Sequence, residues 1–151
     1  MRVRATVLLV RHHAVLLVRE RGGPWLLPGG TVELDELAIV TAIRALYEDT
    51  GVEANAVAFL FQQVSAHHLH HVFRIAIPDD VQPRPGRRGG LDELRWADPS
   101  QLASVQTTPG TRAILNRALG LEHEPITKPT WNRDSGRPGS NRLSEFAKRW
   151  R

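Results

Sequence analysis

Residues 30–52 read GTVELDELAIVTAIRALYEDTGV, and this stretch decides both the fold and the chemistry that we expect. Apolar residues recur in it at spacings of three and four, which predicts an amphipathic helix. The residues expected on its buried face are Ile39, Ala42, Ile43 and Leu46. Gly51 is predicted to end the helix, because glycine commonly follows the last helical residue. The residues before the motif, Pro28-Gly29-Gly30, read as a tight turn.

The opposite side of this helix carries the polar residues. The helical period places Thr41, Arg44, Ala45 and Glu48 there, with Asp49 at the margin. Two adjacent carboxylates repel each other unless a cation lies between them, and they are the hard oxygen ligands that Mg²⁺ prefers. They also stand at the negative end of the helix dipole, which is unfavourable for structure alone. A solvated acidic helix end remains the alternative interpretation.

The spacing of these residues resembles the motif of the Nudix hydrolase family. That motif has a glycine, five residues, a glutamate, seven residues, and then Arg-Glu-aliphatic-x-Glu-Glu-x-Gly-aliphatic. The matching positions here are Gly30, Glu36, Arg44, Leu46, Glu48, Asp49, Gly51 and Val52. Nearly every defined position agrees across 23 residues, and the preceding Pro28-Gly29 also resembles the family pattern.

This resemblance implies a role for each matching residue. Glu48 and Asp49 would bind Mg²⁺ or Mn²⁺, helped by a backbone carbonyl near Gly29-Gly30, with Gly30 as the expected ligand. Arg44 and Glu48 would be catalytic, Arg44 by orienting the carboxylates of the helix. A bound metal would polarise phosphate oxygens and activate water.

Two further residues of the motif are expected to support its structure. Glu36 would pair with Arg44 or support the loop, and Gly51 would close the helix. The glycines of the loop would let the backbone pass close to the metal and the phosphates.

Two positions depart from the family pattern. Asp49 replaces a glutamate, which keeps the carboxylate but shortens its reach. Ala45 stands where the family usually has a glutamate that binds metal or acts as general base. Three explanations stay open: an engineered Glu→Ala change, a general base elsewhere, or a domain that binds a nucleotide without cleaving it. Asp92 and Glu93 are the candidates for a base elsewhere, and Glu93 is our predicted catalytic residue.

The rest of the chain predicts strands interleaved with helices. Strands are expected at 2–10, 14–18, 56–64, 71–77 and 94–97, with a helix starting near Asp98 and a last one from Thr108 to about Leu119. This order predicts an α/β fold, a Nudix-type α/β/α sandwich with a mixed sheet. We expect residues 1–120 to form the domain and residues 121–151 to be a basic extension without its own core.

Composition excludes several classes of protein. The chain has 151 residues, enough for one domain, and no cysteine, which removes disulfides and cysteine nucleophiles. Its net charge is +4, but residues 1–120 hold 13 basic and 12 acidic side chains, so the excess lies mostly in the extension. We expect a cytoplasmic protein without a membrane partner. We do not expect nucleic acid as a partner, although the tryptophans and basic residues of the extension keep that hypothesis open.

Two smaller features carry weaker predictions. His67, His68, His70 and His71 suggest a metal site, but successive side chains of an extended segment alternate in direction, so a polar hairpin tip is favoured. Trp25 is expected in or near the core.

The sequence therefore predicts a hydrolase of a nucleoside diphosphate linked to another moiety, which releases a nucleotide and phosphate or pyrophosphate. A nucleoside triphosphate substrate is expected if the chain resembles the MutT-like branch of the family. A catalytically silent domain that senses a nucleotide is the alternative, motivated by Ala45. A homodimer is left open.

Overall fold

A computed structural model of the chain describes residues 1–86 and 90–120. The strands in this part of the chain are β1 (Arg2–Arg11), β2 (Ala14–Arg19), β3 (Gly29–Thr31), β4 (Ala56–Val64), β5 (His68–Ala76) and β6 (Glu93–Ala97). The helices there are α1 (Ala38–Thr50), α2 (Pro99–Leu102) and α3 (Pro109–Leu119). The predicted extension, residues 121–151, lies outside the described residues.

The strands form one mixed sheet in the order β4-β5-β1-β2-β6, with β3 paired to β1. The pair β1 and β5 is parallel, whereas β1–β2, β1–β3, β2–β6 and β4–β5 are antiparallel. One edge of β1 is divided: Arg4–Thr6 pair with β3, and Val10–Arg11 pair with β2. The sheet therefore divides along this edge of β1. Strand β3, which contains Gly29 and Gly30, lies at the division, and we call residues 28–30 the glycine loop.

Alternation along β1 produces two cores on opposite faces of the sheet. Ala5, Val7 and Leu9 pack with Ala42 and Leu46 of α1, and all five are fully buried. Leu8 instead belongs to a second core that includes Ile114 and Leu115 of α3. The α/β/α sandwich with a mixed sheet is thus confirmed.

The structure corrects the predicted orientation of α1. Ala42 and Leu46 are buried as expected, but Ile39 and Ile43 are each 39% exposed. Thr41 and Ala45, predicted on the opposite side, are buried. The reason is that α1 packs on β3 as well as on β1. The two elements are so close that an ideal Cβ at Gly30 would lie 3.3 Å from the Ala45 Cβ. The helix is consequently turned toward the glycine loop.

Two predictions about strands were also wrong. Gly29 and Gly30 lie in strand β3, not only in a turn, because β1 offers an unpaired edge to them. Strand β5 begins at His68, three residues before the predicted start, so most of the histidine segment is strand and not hairpin tip. Pairing with β1 along Arg2–Leu9 extends β5 in this direction.

The remaining boundaries follow local signals that the sequence displays. Strand β4 has the predicted bounds, and the φ angles of 51° and 68° at His12 and His13 suit the two-residue turn between β1 and β2. Asp98 accepts the Gln101 N–H in a capping box that starts α2, and Thr108 caps α3. No helix in the described ranges is long and apolar enough to span a membrane.

Candidate active site

The glycine loop approaches α1 and β1 so closely that side chains would not fit. A Cβ on Gly29 would collide with the Ala5 carbonyl oxygen, and it would lie 3.0 Å from a terminal nitrogen of Arg4. Gly30 lies against Ala45 and Thr41 of α1. Because both positions lack a side chain, the backbone of the loop comes within hydrogen-bond distance of the helix.

Asp49 is the carboxylate that faces this loop. Its side chain is only 7% exposed, and its Oδ2 accepts the Gly29 N–H at 3.3 Å. Burial raises the pKa of Asp49 to about 6, although the Gly29 N–H and the positive charge of Arg4 oppose the shift and Glu48 adds to it. Within residues 1–86 and 90–120 this buried carboxylate accepts one hydrogen bond, so its charge is incompletely compensated there. A nearby cation would remove that imbalance.

Arg44 holds two glutamates on the solvent side of α1. Its Nε and Nη2 donate to the two Glu36 oxygens at 3.1 and 2.9 Å, and its Nη1 donates to Glu48 Oε1 at 3.2 Å. Thr41 also donates to Glu36, and the Arg44 and Thr41 hydrogen bonds keep the pKa of Glu36 below its usual value. The predicted pairing of Glu36 with Arg44 is present. One oxygen of Glu48 is thereby held by Arg44, one residue before Asp49 in the helix.

The C-terminal end of α1 is covered by the segment that follows β5. Gly51 caps the helix at a φ of 75°, as its predicted supporting role requires, and donates to the Tyr47 carbonyl. The Arg84 N–H donates to the Thr50 carbonyl at 3.0 Å, and the Gly86 N–H donates to the Asp49 carbonyl at 2.9 Å. Carbonyls at a helix end have no partner within the helix, so these bonds fix the end that carries the carboxylates.

Replacing Gly86 with alanine is expected to destabilise the protein by about 1–3 kcal/mol, because the new Cβ would collide with the Glu48 carbonyl oxygen. The segment would have to move, and the two hydrogen bonds to the helix end would weaken. Urea unfolding of Gly86→Ala beside the wild type measures the change. Gln82→Ala, at an exposed position of the same segment, is the control. Equal midpoints for Gly86→Ala and wild type would contradict this packing.

Ala45 leaves the site with fewer carboxylates than the family pattern has. The residue is 3% exposed and lies one turn before both acidic residues of the helix, at i−3 from Glu48 and i−4 from Asp49. Among residues 1–86 and 90–120, no group of three or more histidine and acidic side chains could hold a metal. A metal bound at this site, which stays a prediction, would have as its donors two carboxylates and the backbone of the glycine loop.

The alternative bases predicted from the sequence are bound at the end of β2. Glu93 accepts from Arg19 at 2.8 and 3.2 Å, and this pairing lowers the pKa of Glu93. Asp92 accepts the Arg21 N–H at 2.7 Å. No hydrogen bond or ion pair within the described chain joins either one to Arg44, Glu48 or Asp49. A base role for Glu93 stays a prediction, and its partner Arg19 disfavours it.

A cavity of about 400 Å³ lies beside the glycine loop on the α3 face of the sheet, and we call it the pocket. It is lined by Arg4, Thr6, Leu26, Leu27, Ser65, Ala66, His67, His68, His70 and Thr108–Thr111. The buried ring of His70 makes two hydrogen bonds. Its Nδ1 lies 2.9 Å from Thr6 Oγ1, and its Nε2 lies 3.1 Å from Ser65 Oγ. Burial and the charge of Arg4 lower the pKa of His70 to about 4, so the ring is neutral at physiological pH.

Some of the residues in and around the pocket had been singled out in the sequence, and others had not. His68 and His70 line the pocket from strand β5, and a metal site at the histidines stays untested. Trp25 is buried in the core on the α3 face, as predicted. Arg4, Ser65 and Thr6 were missed, because they come from strands and turns that only long-range pairing brings together. The Arg4 charge within an apolar strand was the one local signal that could have found them.

A model of the NUDIX domain matches residues 1–118. The chain belongs to the Nudix family. Nudix hydrolases act on small-molecule nucleotide substrates, and the glycine loop and α1 of this Nudix domain carry the family motif described above.

Two relatives illustrate the range of the similarity. A Mycobacterium tuberculosis protein with the provisional name 8-oxo-dGTP diphosphatase 3 is 29% identical over 129 residues, which cover 80% of this chain and 56% of that protein. The chain thus spans little more than half the length of this curated relative. A Nudix hydrolase family member from Chromobacterium violaceum superposes with a TM-score of 0.69 at 25% identity, covering 98% of this chain and 94% of that one.

A third structure shows the same fold with a ligand. The NUDIX domain of Shewanella oneidensis NrtR, whose structure was determined with ADP ribose, superposes with a TM-score of 0.66 at 18% identity. The match covers 78% of this chain and 86% of that one.

Proposed function

We propose that this Nudix domain is a divalent-metal-dependent hydrolase that cleaves the diphosphate of a nucleotide linked to another group. The products would be a nucleotide and phosphate or pyrophosphate. The observation that carries the proposal is Asp49, a buried carboxylate next to Glu48 in the chain, whose one side-chain hydrogen bond among the described residues comes from the glycine loop. Such an arrangement is unfavourable for folding and suited to a cation and a phosphate.

The donor set suits Mg²⁺ or Mn²⁺. Glu48 and Asp49 offer carboxylate oxygens, and Gly30 would add its backbone carbonyl. Mg²⁺ is commonly held by one or two carboxylates while it keeps several waters, so two side chains suffice. When bound, the metal would supply Lewis-acid polarisation of the phosphate oxygens and an activated water.

The protein's own residues would hold this site in place. Arg44 binds Glu36 and Glu48 together, which fixes the rotamer of Glu48. The Gly29 N–H fixes Asp49 from the other side. Arg44 is therefore a positioning residue for the carboxylates, and the segment at Gly86 holds the helix end on which both stand.

A nucleoside triphosphate is the substrate that we propose, as in the MutT-like branch of the family. The name of the Mycobacterium tuberculosis relative, which refers to an oxidised deoxyguanosine triphosphate, supports this choice. Because the chain spans only 56% of that relative, the shared substrate is a proposal for the matching part.

The test is a panel of nucleoside triphosphates, 8-oxo-dGTP, ADP-ribose and dinucleoside polyphosphates, each with Mg²⁺, with Mn²⁺ or with EDTA. We expect release of phosphate or pyrophosphate from at least one triphosphate with metal, and loss of the activity in EDTA. Glu48→Gln is the matched variant, since it keeps the shape and removes the charge. Hydrolysis that persists in EDTA, or that is equal in Glu48→Gln, would contradict the proposed site.

The second candidate function is a silent domain that senses a nucleotide. Ala45 favours it, because a missing general base commonly costs about 10²–10⁴-fold in rate. The NrtR domain determined with ADP ribose is a structural neighbour with a bound ligand. Binding of a panel member at micromolar concentration without turnover in either metal would support the sensor and reject the enzyme.

A further inference from the structure

Helix α1 carries a half-exposed apolar surface on the side that faces away from the sheet. Its spacings of three and four place Ile39, Val40, Ile43 and Tyr47 along one side of the helix, and we call these four residues the α1 stripe. They are 39–55% exposed and belong to neither hydrophobic core of residues 1–86 and 90–120. The solvent side of a helix in a soluble domain is normally polar, so this row marks a surface to which another segment binds.

A cavity continues the α1 stripe at the C-terminal end of the helix. Its volume is about 480 Å³. Tyr47 lines it from the stripe, Val52, Pro78 and Val81 add apolar walls, and Glu53 adds a carboxylate. A large aromatic side chain buries more area in such a concave place than on a flat surface, and basic groups next to it would be attracted to the carboxylate. The occupant is therefore expected to bring an aromatic residue with basic neighbours to this end.

The charge around the α1 stripe favours a basic occupant and disfavours a second copy of the domain. Residues 33–53 hold six acidic side chains and one arginine. Two such helices side by side would repel each other, whereas a cationic segment would be attracted. Residues 121–151, which lie outside the described residues, hold seven basic and four acidic side chains. The charge of this stretch of the same chain therefore fits the stripe.

The sequence of this stretch matches the α1 stripe in spacing as well as in charge. Leu143, Phe146 and Trp150 follow one another at intervals of three and four, which is the pattern of a helix with one apolar side. The same two intervals separate residues 40, 43 and 47 of the stripe. Lys148 and Arg149 stand directly before Trp150. An aromatic residue with basic neighbours is thus present where the cavity calls for one.

The connecting residues are numerous enough to bring the two parts together. Helices α1 and α3 pack on opposite faces of the sheet, so the chain must pass round the domain after Gly120. Residues 121–142 number 22 and can span up to about 70 Å when extended. A domain of this size is only about 35 Å across. Because both parts belong to one chain, their effective concentration is high, and a few apolar contacts suffice for docking.

We propose that residues 143–150 dock on the α1 stripe of the same chain. Trp150 fills the cavity, and its basic neighbours lie near Glu53. Leu143 and Phe146 cover the remaining apolar residues of the stripe. The docking does not depend on whether the domain cleaves a nucleotide, since the stripe contains none of the residues proposed for the metal site.

Limited proteolysis of the full chain, followed by mass spectrometry, measures the docking. Trypsin cleaves after Arg142 faster when the segment is released, because the rate follows the population of the open form. We expect Tyr47→Ser and Phe146→Ser each to accelerate this cleavage by about 10-fold, since each removes a large apolar side chain from the contact. The matched control is Phe59→Ser on β4, because Phe59 is 53% exposed and Tyr47 is 55% exposed.

The double variant tests whether the two side chains belong to one contact. If they do, Tyr47→Ser combined with Phe146→Ser should be cleaved about as fast as either single variant, because the first change has already released the segment. Equal rates for the wild type and the single variants would overturn the docking. So would accelerations that multiply in the double variant, or a Phe59→Ser protein that is cleaved as fast as Tyr47→Ser.

A crosslink identifies the occupant of the stripe. The chain has no cysteine, so Val40→Cys combined with Leu143→Cys places one pair of thiols at the proposed contact. Oxidised glutathione should convert this pair to a disulfide within a monomer. Gln62→Cys combined with Leu143→Cys, with the first thiol at an exposed position of β4, is the control and should stay unlinked. A disulfide-linked dimer would assign the stripe to a second copy, and linkage equal to that of the control would leave the segment undocked; either result overturns the proposal.

Discussion

Replacing Ala45 with glutamate is expected to raise metal-dependent hydrolysis by about 10²–10⁴-fold, the usual contribution of a general base. Position 45 faces Gly30 and stands one turn before Glu48 and Asp49, so the new carboxylate would join the two that are present. Initial rates on the best triphosphate of the panel, with saturating Mg²⁺, measure the effect. The metal affinity of the variant should rise as well.

The control for this change is Ala45→Gln, which adds the same bulk without the charge. Ala45 is buried and its Cβ lies close to Gly30, so both variants must shift the loop slightly. Activation by glutamate alone would show that the carboxylate is what this site lacks. Equal rates for Ala45→Glu and wild type would place the base elsewhere, and Glu93→Gln would then be the next variant. If Ala45→Gln also raises the rate, the added bulk and not the carboxylate causes the activation.

Replacing Asp49 with asparagine is expected to abolish hydrolysis while stabilising the metal-free protein. Loss of a direct metal ligand should lower the rate by more than about 10²-fold, since even outer groups around a metal commonly cost that much. Asparagine can still accept the Gly29 N–H, but it carries no charge into the buried position. We therefore expect a gain of about 1–3 kcal/mol in the free energy of unfolding at pH 8 in EDTA.

The sign of this gain depends on pH. The pKa of Asp49 rises from 3.8 to about 6 on folding, so folding favours its protonated form. The stability that this group contributes is fully present below pH 3.8 and is lost as the pH rises through about 6. The advantage of Asp49→Asn should therefore be small at pH 4 and full at pH 8. Urea unfolding at both values checks this, with exposed Asp80→Asn as the control. An Asp49→Asn protein less stable than wild type at pH 8 in EDTA would contradict the burial argument.

Several parts of the site could be predicted because they depend on short separations in the chain. The interval from Gly30 to Val52 determines that Glu36, Arg44 and Glu48 fall on adjacent turns, and the structure shows the ion pairs that this spacing allows. Helix ends at Gly51 and Gly120, and caps at Asp98 and Thr108, are also local signals.

Which residues of α1 are buried could not be predicted from the helical spacing of its apolar residues alone. A hydrophobic face predicts one packing partner, whereas α1 lies in the angle between β1 and β3, and the absence of side chains at Gly29 and Gly30 lets it turn toward them. Small residues such as Ala45 and Thr41 thus become buried, and the larger Ile39 and Ile43 become exposed. Steric fit to the loop decided this orientation.

The sequence by itself determined the family motif, the order of strands and helices, and the pairing of Arg44 with its glutamates, because these follow from residue type and local spacing. Only the tertiary structure decided that Asp49 is buried against Gly29, that Glu93 is bound by Arg19, and that Arg4 lines the pocket. Each of these depends on groups 20 to 74 residues apart in the chain. Desolvation and charge at such a position are set by every strand that packs there, so no single segment of sequence contains them.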